Sequence, residues 1–274
     1  MQTPSKESGY SNLDCTSDPM KYVRRLDRVG ANPFWQEIKS QMLSLLDVRE
    51  GDRVLDVGCG TGDDVRSLAQ FVGVRGSVIG IDSSTTMIQE AKRRSEKSSL
   101  PIEFYHGDAQ NLEFPDNSFN CCRVERVLQH LDNPQKALVE MVRVAKSGAR
   151  IVVVEPDYGT ISIDGGHCVI TRKLIARRCS HFRNGRIGIL LPLLYKRLGL
   201  ENIVVKLTQV VRTDIDEEHE QFLLDKYIEP AIAVDAISAS EAKHWIEDLK
   251  QADKFGNYRY AFNLFLICGC KPNS

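Results

Sequence analysis

At 274 residues the chain is long enough for one large α/β domain with a sizeable buried core and some added helices. Its 36 Lys and Arg stand against 37 Asp and Glu, which argues against nucleic acid as a partner, and no apolar run reaches the length of a membrane span. The first residues lack a signal-peptide core, and of the eight cysteines Cys59 sits in a glycine turn and Cys121 and Cys122 lie side by side in an apolar strand, so the expectation is a cytoplasmic protein with reduced thiols.

Residues 1–16 are polar and rich in Ser and Gly, and are expected to form a disordered arm. Helices are expected over residues 20–29 and 33–46, the second with Phe34, Ile38, Met42 and Leu45 or Leu46 on one face. The first strand, residues 53–57, runs into Gly58-Cys59-Gly60-Thr61-Gly62, and a helix over residues 64–71 follows. Glycines at that point let the backbone turn sharply and approach a ligand, with the free N–H groups of the next helix facing it. The spacing is G-x-G-x-G, not the G-x-G-x-x-G of dinucleotide folds, and Asp56 lies inside the strand end.

From there strand and helix alternate. Strands are expected over residues 77–81, 102–105, 119–124 and 150–155, with helices over 84–95 and 134–144 and a Ser147-Gly148 turn before the fifth strand. This order predicts a parallel sheet with helices on both faces and right-handed crossovers. Helices over 171–182 and 189–198 lead to a strand at 203–211, and the last strand is 260–268. Between those two strands, residues 214–256 read as two helices, 217–233 and 238–254, parted near Asp235. An insertion this long needs a role. It is either a lid, with the Phe222, Leu223, Tyr227 and Ile228 face over the active site, or an edge-packing or homodimer element. The expected organisation is an arm with cap helices (1–50), an α/β core (51–213), the helical insertion (214–256) and the closing strand (257–274).

In an open parallel sheet, ligands bind beyond the C-terminal strand ends near the topological switch point. Asp82, followed by Ser83, ends the second strand and can accept hydrogen bonds from two ribose hydroxyls, or simply cap the next helix. Gly107 permits a tight turn after the third strand, with Asp108 and Ala109 behind it.

The stretch from Asp56 to Gly62 resembles motif I of the class I S-adenosylmethionine methyltransferases. With Asp82, Gly107-Asp108-Ala109, residues 128–131 and Ser147-Gly148-Ala149, residues 54–155 are similar to the ubiquinone/menaquinone-biosynthesis type of small-molecule methyltransferase. The resemblance implies a Rossmann-like seven-stranded, mostly parallel sheet whose last strand is antiparallel, with S-adenosylmethionine as cofactor. It puts Asp56, Gly58, Cys59, Gly60 and Gly62 at the methionine part, Asp82 and Ser83 at the ribose, and Met87 and Asp108-Ala109 at the adenine. The peptide near Arg123 would meet the ammonium end, and Gln129 would lie beside the cofactor. Arg123, Glu125 and Arg126 depart from the apolar residues expected there, implying an unusual substrate end, and the loop glycine pair is reduced to Ser147-Gly148.

Candidates for the chemistry are His130, as general base or as a packed residue between Leu128 and Leu131, and Asp157 with Tyr158, facing the acceptor pocket. Glu125 and Tyr22 are the substrate candidates, with ion pairing and packing as their plain alternatives, and Trp35 is expected to pack. The lack of an obvious base does not weigh against methyl transfer, since positioning contributes roughly 7–11 kcal/mol and a base about 10²–10⁴-fold. No N/D-P-P-Y follows the fourth strand, so the resemblance to amino-group methylators of adenine or glutamine fails. Glu155 and Asp157 have no companions at metal-ligand spacing, nor has Cys268-x-Cys270, and no metal is expected. Arg172, Lys173, Arg177, Arg178, Arg183 and Arg186 form a basic cluster, either a solvated face or a lure for an acidic substrate. The expected activity is methyl transfer to O, N or C of a small organic acceptor, in secondary metabolism. The alternatives are a protein or RNA methyltransferase, and a non-catalytic S-adenosylmethionine-binding regulator.

Overall fold

In the computed structural model, which describes residue 10 and residues 12–273, the apolar runs pair into one seven-stranded sheet. Its strands are β1 (Arg53–Val57), β2 (Ser77–Asp82), β3 (Ile102–His106), β4 (Phe119–Glu125), β5 (Ala145–Asp164), β6 (Glu201–Arg212) and β7 (Arg259–Cys270). They lie in the order β3-β2-β1-β4-β5-β7-β6, parallel from β3 to β5 and antiparallel where β7 enters between β5 and β6. The helices are α1 (Met20–Ala31), α2 (Pro33–Leu46), α3 (Asp63–Val72), α4 (Thr85–Ser95), α5 (Pro134–Val144), α6 (Cys168–His181), α7 (Ile187–Arg197), α8 (Glu217–Leu223), α9 (Glu229–Ile232) and α10 (Ala239–Lys254). Among the described residues no helix is long and apolar enough to cross a membrane.

Side chains alternate across a strand, and here both faces are covered, so the central strands read as unbroken apolar runs. Leu55, Ile79, Cys122 and Val153 pack on one face against Leu138 and Met141 of α5 and Leu191 of α7. Val54, Val78, Cys121 and Val152, their neighbours in sequence, pack on the other against Ile38 and Met42 of α2 and Val65 and Leu68 of α3. Each such side chain contributes roughly 1.5–3 kcal/mol on burial, which fixes the register of the strand ends.

The structure departs from expectation in three places. First, residues 12–16 are ordered: Leu13–Cys15 is a 3₁₀ turn, Leu13 packs on Val23 and Met87, and Asp14 accepts from Ser84 Oγ and Thr85 N–H (both 2.7 Å). That carboxylate meets the free N–H groups opening α4, which is why a polar arm settles there. Residues 1–9 and 11 of the expected arm lie outside the described residues.

Second, β5 continues past Glu155 to Asp164, beside the start of β7, with a register shift between Asp157 and Ser162. The Ser147-Gly148 turn is instead an irregularity within β5, where Gly148 has φ +76°.

Third, the insertion is not two plain helices. A π-helical turn, Leu224–Ile228, separates α8 from α9. Leu223, Tyr227 and Ile228 are buried with Ile161, Ile163, Trp245 and Tyr258 in a third apolar core, under the β5 extension, and do not roof the cavity described below. Trp245 Nε1 donates to Thr171 Oγ1 (2.8 Å), joining α10 to α6.

Candidate active site

β1 has β2 on one side and β4 on the other, and a crevice opens beyond the C-terminal ends of these strands. The turn after β1 is tied to β2. The Gly58 and Cys59 N–H groups donate to the Ile81 carbonyl (2.8 and 2.9 Å), and Gly60 N–H donates to Asp82 Oδ2 (2.9 Å). Gly58 and Gly60 have φ of +72° and +52°, where L side chains are strained. A Cβ on Gly58 would stand 2.2 Å from Val127 Cγ2, and one on Gly60 2.9 Å from Leu26 Cδ1. Asp82 Oδ1 accepts from Ser84 N–H (2.9 Å), so backbone donors hold both carboxylate oxygens, and burial pushes the carboxyl above its usual range.

A cavity of about 370 Å³ lies over this turn, a size suited to a small molecule. Gly58, Gly60, Asp82, Ser83 and Met87 line it, with Gly107, Asp108 and Ala109 from the turn after β3. Glu125, Gln129 and His130, at the exit of β4, and Tyr158 of β5 line it too, and Tyr22 covers it from α1.

Gln129 Nε2 donates to the Arg126 carbonyl (3.0 Å), while its Oε1 is buried with no hydrogen-bond partner among the described residues. Burial, with the positive field of Arg25, His181, Arg126 and Arg178, pushes His130 down to about 3, so its imidazole is neutral at physiological pH. Tyr158 stacks on Phe182 (ring centroids 4.2 Å apart, 8° between planes), and burial raises its hydroxyl.

A family model described as a methyltransferase domain matches residues 49–226. The chain belongs to the methyltransferase domain family. The cofactor of that family is S-adenosylmethionine. A 37.1 kDa protein of transposon TN4556 from Streptomyces fradiae is 36% identical over 230 residues, spanning 83% of this chain and 66% of that protein. A demethylmenaquinone methyltransferase of Bacillus cereus is 30% identical over 162 residues, 59% of this chain and 67% of that one. This chain thus spans about two thirds of the length of both relatives. Among solved structures, the YcgJ protein of Bacillus subtilis shares the fold, with a TM-score of 0.61 at 19% identity over 87% of this chain and 100% of that one.

In this methyltransferase-family chain, five of the residues expected at the site do not reach the main cavity. Asp56, Cys59 and Arg123 surround a smaller recess of about 70 Å³ that shares Gly58, Gly60 and Glu125 with it. The Arg123 guanidinium, 3% exposed, meets Asp56 (3.4 Å), Asp64 (3.0 Å) and Glu125 (2.8 Å); Glu125 also meets Arg126 (2.9 Å), and Asp64 meets Lys39 (2.9 Å). Three cations balance three carboxylates, so Arg123 braces β1, α3 and β4 from within. Burial and the carboxylates of Asp64 and Glu125 push Asp56 upward, whereas Arg123 and Lys39 outweigh burial at Asp64 and hold it low. Gly62 lines neither cavity. It opens α3 at φ +75°, and a Cβ there would lie 2.6 Å from the Phe104 ring. Asp157 points the other way from Tyr158, as neighbours on a strand do. It is fully buried, its Oδ1 accepting from Gly159 N–H (2.9 Å) and facing Arg186 (3.6 Å), so the expected role at the acceptor fails on geometry. Trp35 packs under Arg126, whose guanidinium carbon lies 4.0 Å from the ring centroid.

Other residues line the cavity without having been expected there. Arg25, Leu26 and Val29 come from α1, whose Val23, Leu26 and Val29 form an apolar stripe at helical spacing that the sequence does display. Phe182 follows α6, and Arg178 of that helix belongs to the basic cluster that the sequence offered either as a solvated face or as a lure for an acidic substrate. Lys226 comes from the π-helical turn, which no sequence pattern announces.

Proposed function

We propose that this protein transfers the methyl group of S-adenosylmethionine to an oxygen, nitrogen or carbon atom of a small organic acceptor, of the kind found in secondary metabolism, in the cytoplasm. One observation carries the proposal. A single cavity joins the bare glycine turn and the strand-end acid Asp82 to a chamber lined by Tyr22, His130 and Tyr158.

The residues present fit the cofactor. Gly58 and Gly60 keep the backbone bare where a Cβ would meet Val127 or Leu26. Asp82, after accepting from Gly60 and Ser84, keeps lone pairs on both oxygens, which suits the two hydroxyls of a ribose. The unpartnered Gln129 Oε1 suits an ammonium group, Met87 and Ala109 offer apolar walls for an adenine, and Asp108 an acceptor for its amino group. When bound, S-adenosylmethionine supplies a methyl group on a sulfonium that leaves without needing a proton.

What remains for the chain is to hold an acceptor in line and keep water out. α1 covers the cavity with Tyr22 and Leu26, and this roof favours a small acceptor over a protein or RNA segment. Positioning of this kind contributes roughly 7–11 kcal/mol, the larger share of what is needed. His130 is neutral and can accept a hydrogen bond from an acceptor O–H or N–H, but a group pushed down to about 3 is a weak base. Its role in this reading is orientation.

The test has two stages. Calorimetry should show one site for S-adenosylhomocysteine, and a metabolite extract incubated with methyl-labelled S-adenosylmethionine should yield a labelled small molecule. Absence of cofactor binding overturns the reading; cofactor binding with label only in protein or RNA overturns the small acceptor.

A further inference from the structure

We infer that the acceptor carries an anionic oxyacid group, a carboxylate or a phosphate, and that Arg178 holds it together with Lys226 and Arg25. This rests on the methyl-transfer reading above for the word acceptor, but the anion site itself stands on its own observations.

The first is a mismatch of partners around the cavity. Four carboxylates face it, and all are engaged. Asp82 accepts from Gly60 and Ser84, Asp108 from Gln110 N–H (2.8 Å), Glu125 pairs with Arg123 and Arg126, and Asp132 pairs with Arg183 (2.6 Å). The cations Arg126 and Arg183 are thereby accounted for. Arg25, Arg178 and Lys226 also face the cavity, and none has an ion pair among the described residues.

The second observation is the setting of Arg178. Its side chain is only 6% exposed, and its Nε is buried with no hydrogen-bond acceptor among the described residues. The guanidinium carbon lies 4.7 Å from the Phe182 ring centroid, 5.3 Å from that of Tyr158 and 5.8 Å from that of Tyr227. Aromatic faces attract a cation, but they satisfy no N–H group. A buried guanidinium without an acceptor is costly, and an anion arriving in the cavity would remove the cost by a paired, two-pronged contact.

The third is that the three cations stand near enough to act together. Burial lowers Lys226, and Arg25 and Arg178 lower it further; both arginines also depress His130. They come from three separate elements, α1, α6 and the π-helical turn, which converge at this chamber. Arg178 sits among Phe182, Tyr158 and Tyr227, none of which belongs to the glycine turn, so the anion belongs to the acceptor end and not to the carboxylate of the cofactor.

The probes are benzoate and phenyl phosphate, with benzamide as the neutral counterpart, titrated calorimetrically into the full chain with and without S-adenosylhomocysteine. The wild type should bind one or both anions and not benzamide; the stronger of the two tells which oxyacid the site prefers. R178M should weaken that anion by about 30-fold or more while leaving the affinity for S-adenosylhomocysteine within about twofold. Its melting temperature should hold or rise, because an unpaired buried charge is removed; K226M should weaken the anion less. Equal binding of benzoate and benzamide, no binding of either anion, or an R178M chain that binds anions as the wild type does would each overturn the inference. So would R178M weakening S-adenosylhomocysteine as much as the anion. Anion binding without S-adenosylhomocysteine binding would support the anion site and overturn the methyl-transfer reading. As a second arm, a metabolite extract is split by anion exchange before incubation with labelled S-adenosylmethionine. Label from the retained fraction supports the inference, and label only from the flow-through overturns it.

Discussion

Replacing Asp82 by Asn changes one atom and tests the cofactor end directly. In the folded chain Oδ2 accepts from Gly60 N–H and Oδ1 from Ser84 N–H, both at 2.9 Å. An Asn keeps one carbonyl oxygen for one of those donors, and its NH₂ group must then face the other. That conflict leaves one backbone N–H without its acceptor, at about 1–3 kcal/mol, and shifts the melting temperature by a few degrees. The ligand is affected as well. A hydroxyl donating to a carboxylate is worth roughly 1.5–3 kcal/mol, and Asn loses the acceptor for one of the two, which weakens S-adenosylhomocysteine by about 10–10²-fold. The pH dependence separates this from a general loosening. Burial raises the Asp82 pKa, and the donors favour its ionised form, so wild-type affinity should fall as pH drops through a value above the usual carboxylate range. D82N has no such proton to take up, and its affinity should be flat over that interval. Calorimetry at several pH values, alongside thermal unfolding, reads both effects. Affinity within threefold of wild type, in a chain that melts normally, would refute the assignment of Asp82 to the ribose.

Gly58→Ala meets Val127 and a left-handed φ at once, so it should abolish cofactor binding. Trimming the neighbour in G58A/V127A should restore folding more than affinity, and unchanged affinity in G58A alone would show that the turn has slack. Burial pushes Glu155 up to about 8 from an ordinary value of 4.5, with Oε1 accepting from Leu128 N–H (2.6 Å). The folded state then holds a proton that the unfolded chain releases. The associated stability is full below about 4.5 and is lost as pH rises to about 8, at up to about 1.4 kcal/mol per pH unit. E155Q should flatten the urea midpoint against pH over that window, and an unchanged slope would place the dependence elsewhere. Trp245→Ala empties a fully buried site in the third core, at roughly 3–5 kcal/mol. Amide exchange should quicken across residues 217–254 while residues 53–62 keep their protection; equal loss in both would mean that the insertion and the sheet open as one unit.

The half of the cavity at the glycine turn was legible in the sequence because backbone and strand ends build it. Burial of Leu55, Ile79 and Cys122 on one face and Val54, Val78 and Cys121 on the other sets the register, and the register delivers Gly58, Asp82 and Glu125 to the same edge. A pattern of apolar runs and glycines carries that information. It does not say which way a side chain turns once a strand runs on, and Asp157 was misjudged because β5 extends to Asp164 and alternation sends it away from Tyr158. Nor does it distinguish a helix that roofs a site from one that packs beside it. The face of Phe222, Leu223, Tyr227 and Ile228 reads equally as a lid or as an edge-packing element, and it packs with Trp245, Tyr258 and the β5 extension in a core of its own. The roof is α1, whose Leu26 and Val29 line the cavity. A short arm that reads as disordered is held by Asp14, because the N–H groups opening α4 are free to donate to its carboxylate.

The two halves of the cavity therefore rest on different physical footing. At the glycine turn the contacts are main-chain: Gly58, Cys59 and Gly60 donate to β2, and any Cβ intrudes. Substitutions there act through the fold, and the site tolerates few. At the other end Tyr158 of β5 and His130 beyond β4 are joined by side chains from α1, α6 and the π-helical turn, the last two packed around Leu223, Tyr227 and Trp245. Arg178 is held by rings and not by hydrogen bonds, so its neighbours leave its N–H groups to whatever enters. On the anion-site proposal, a different acceptor would be met by changes to these side chains with the glycine turn left as it is.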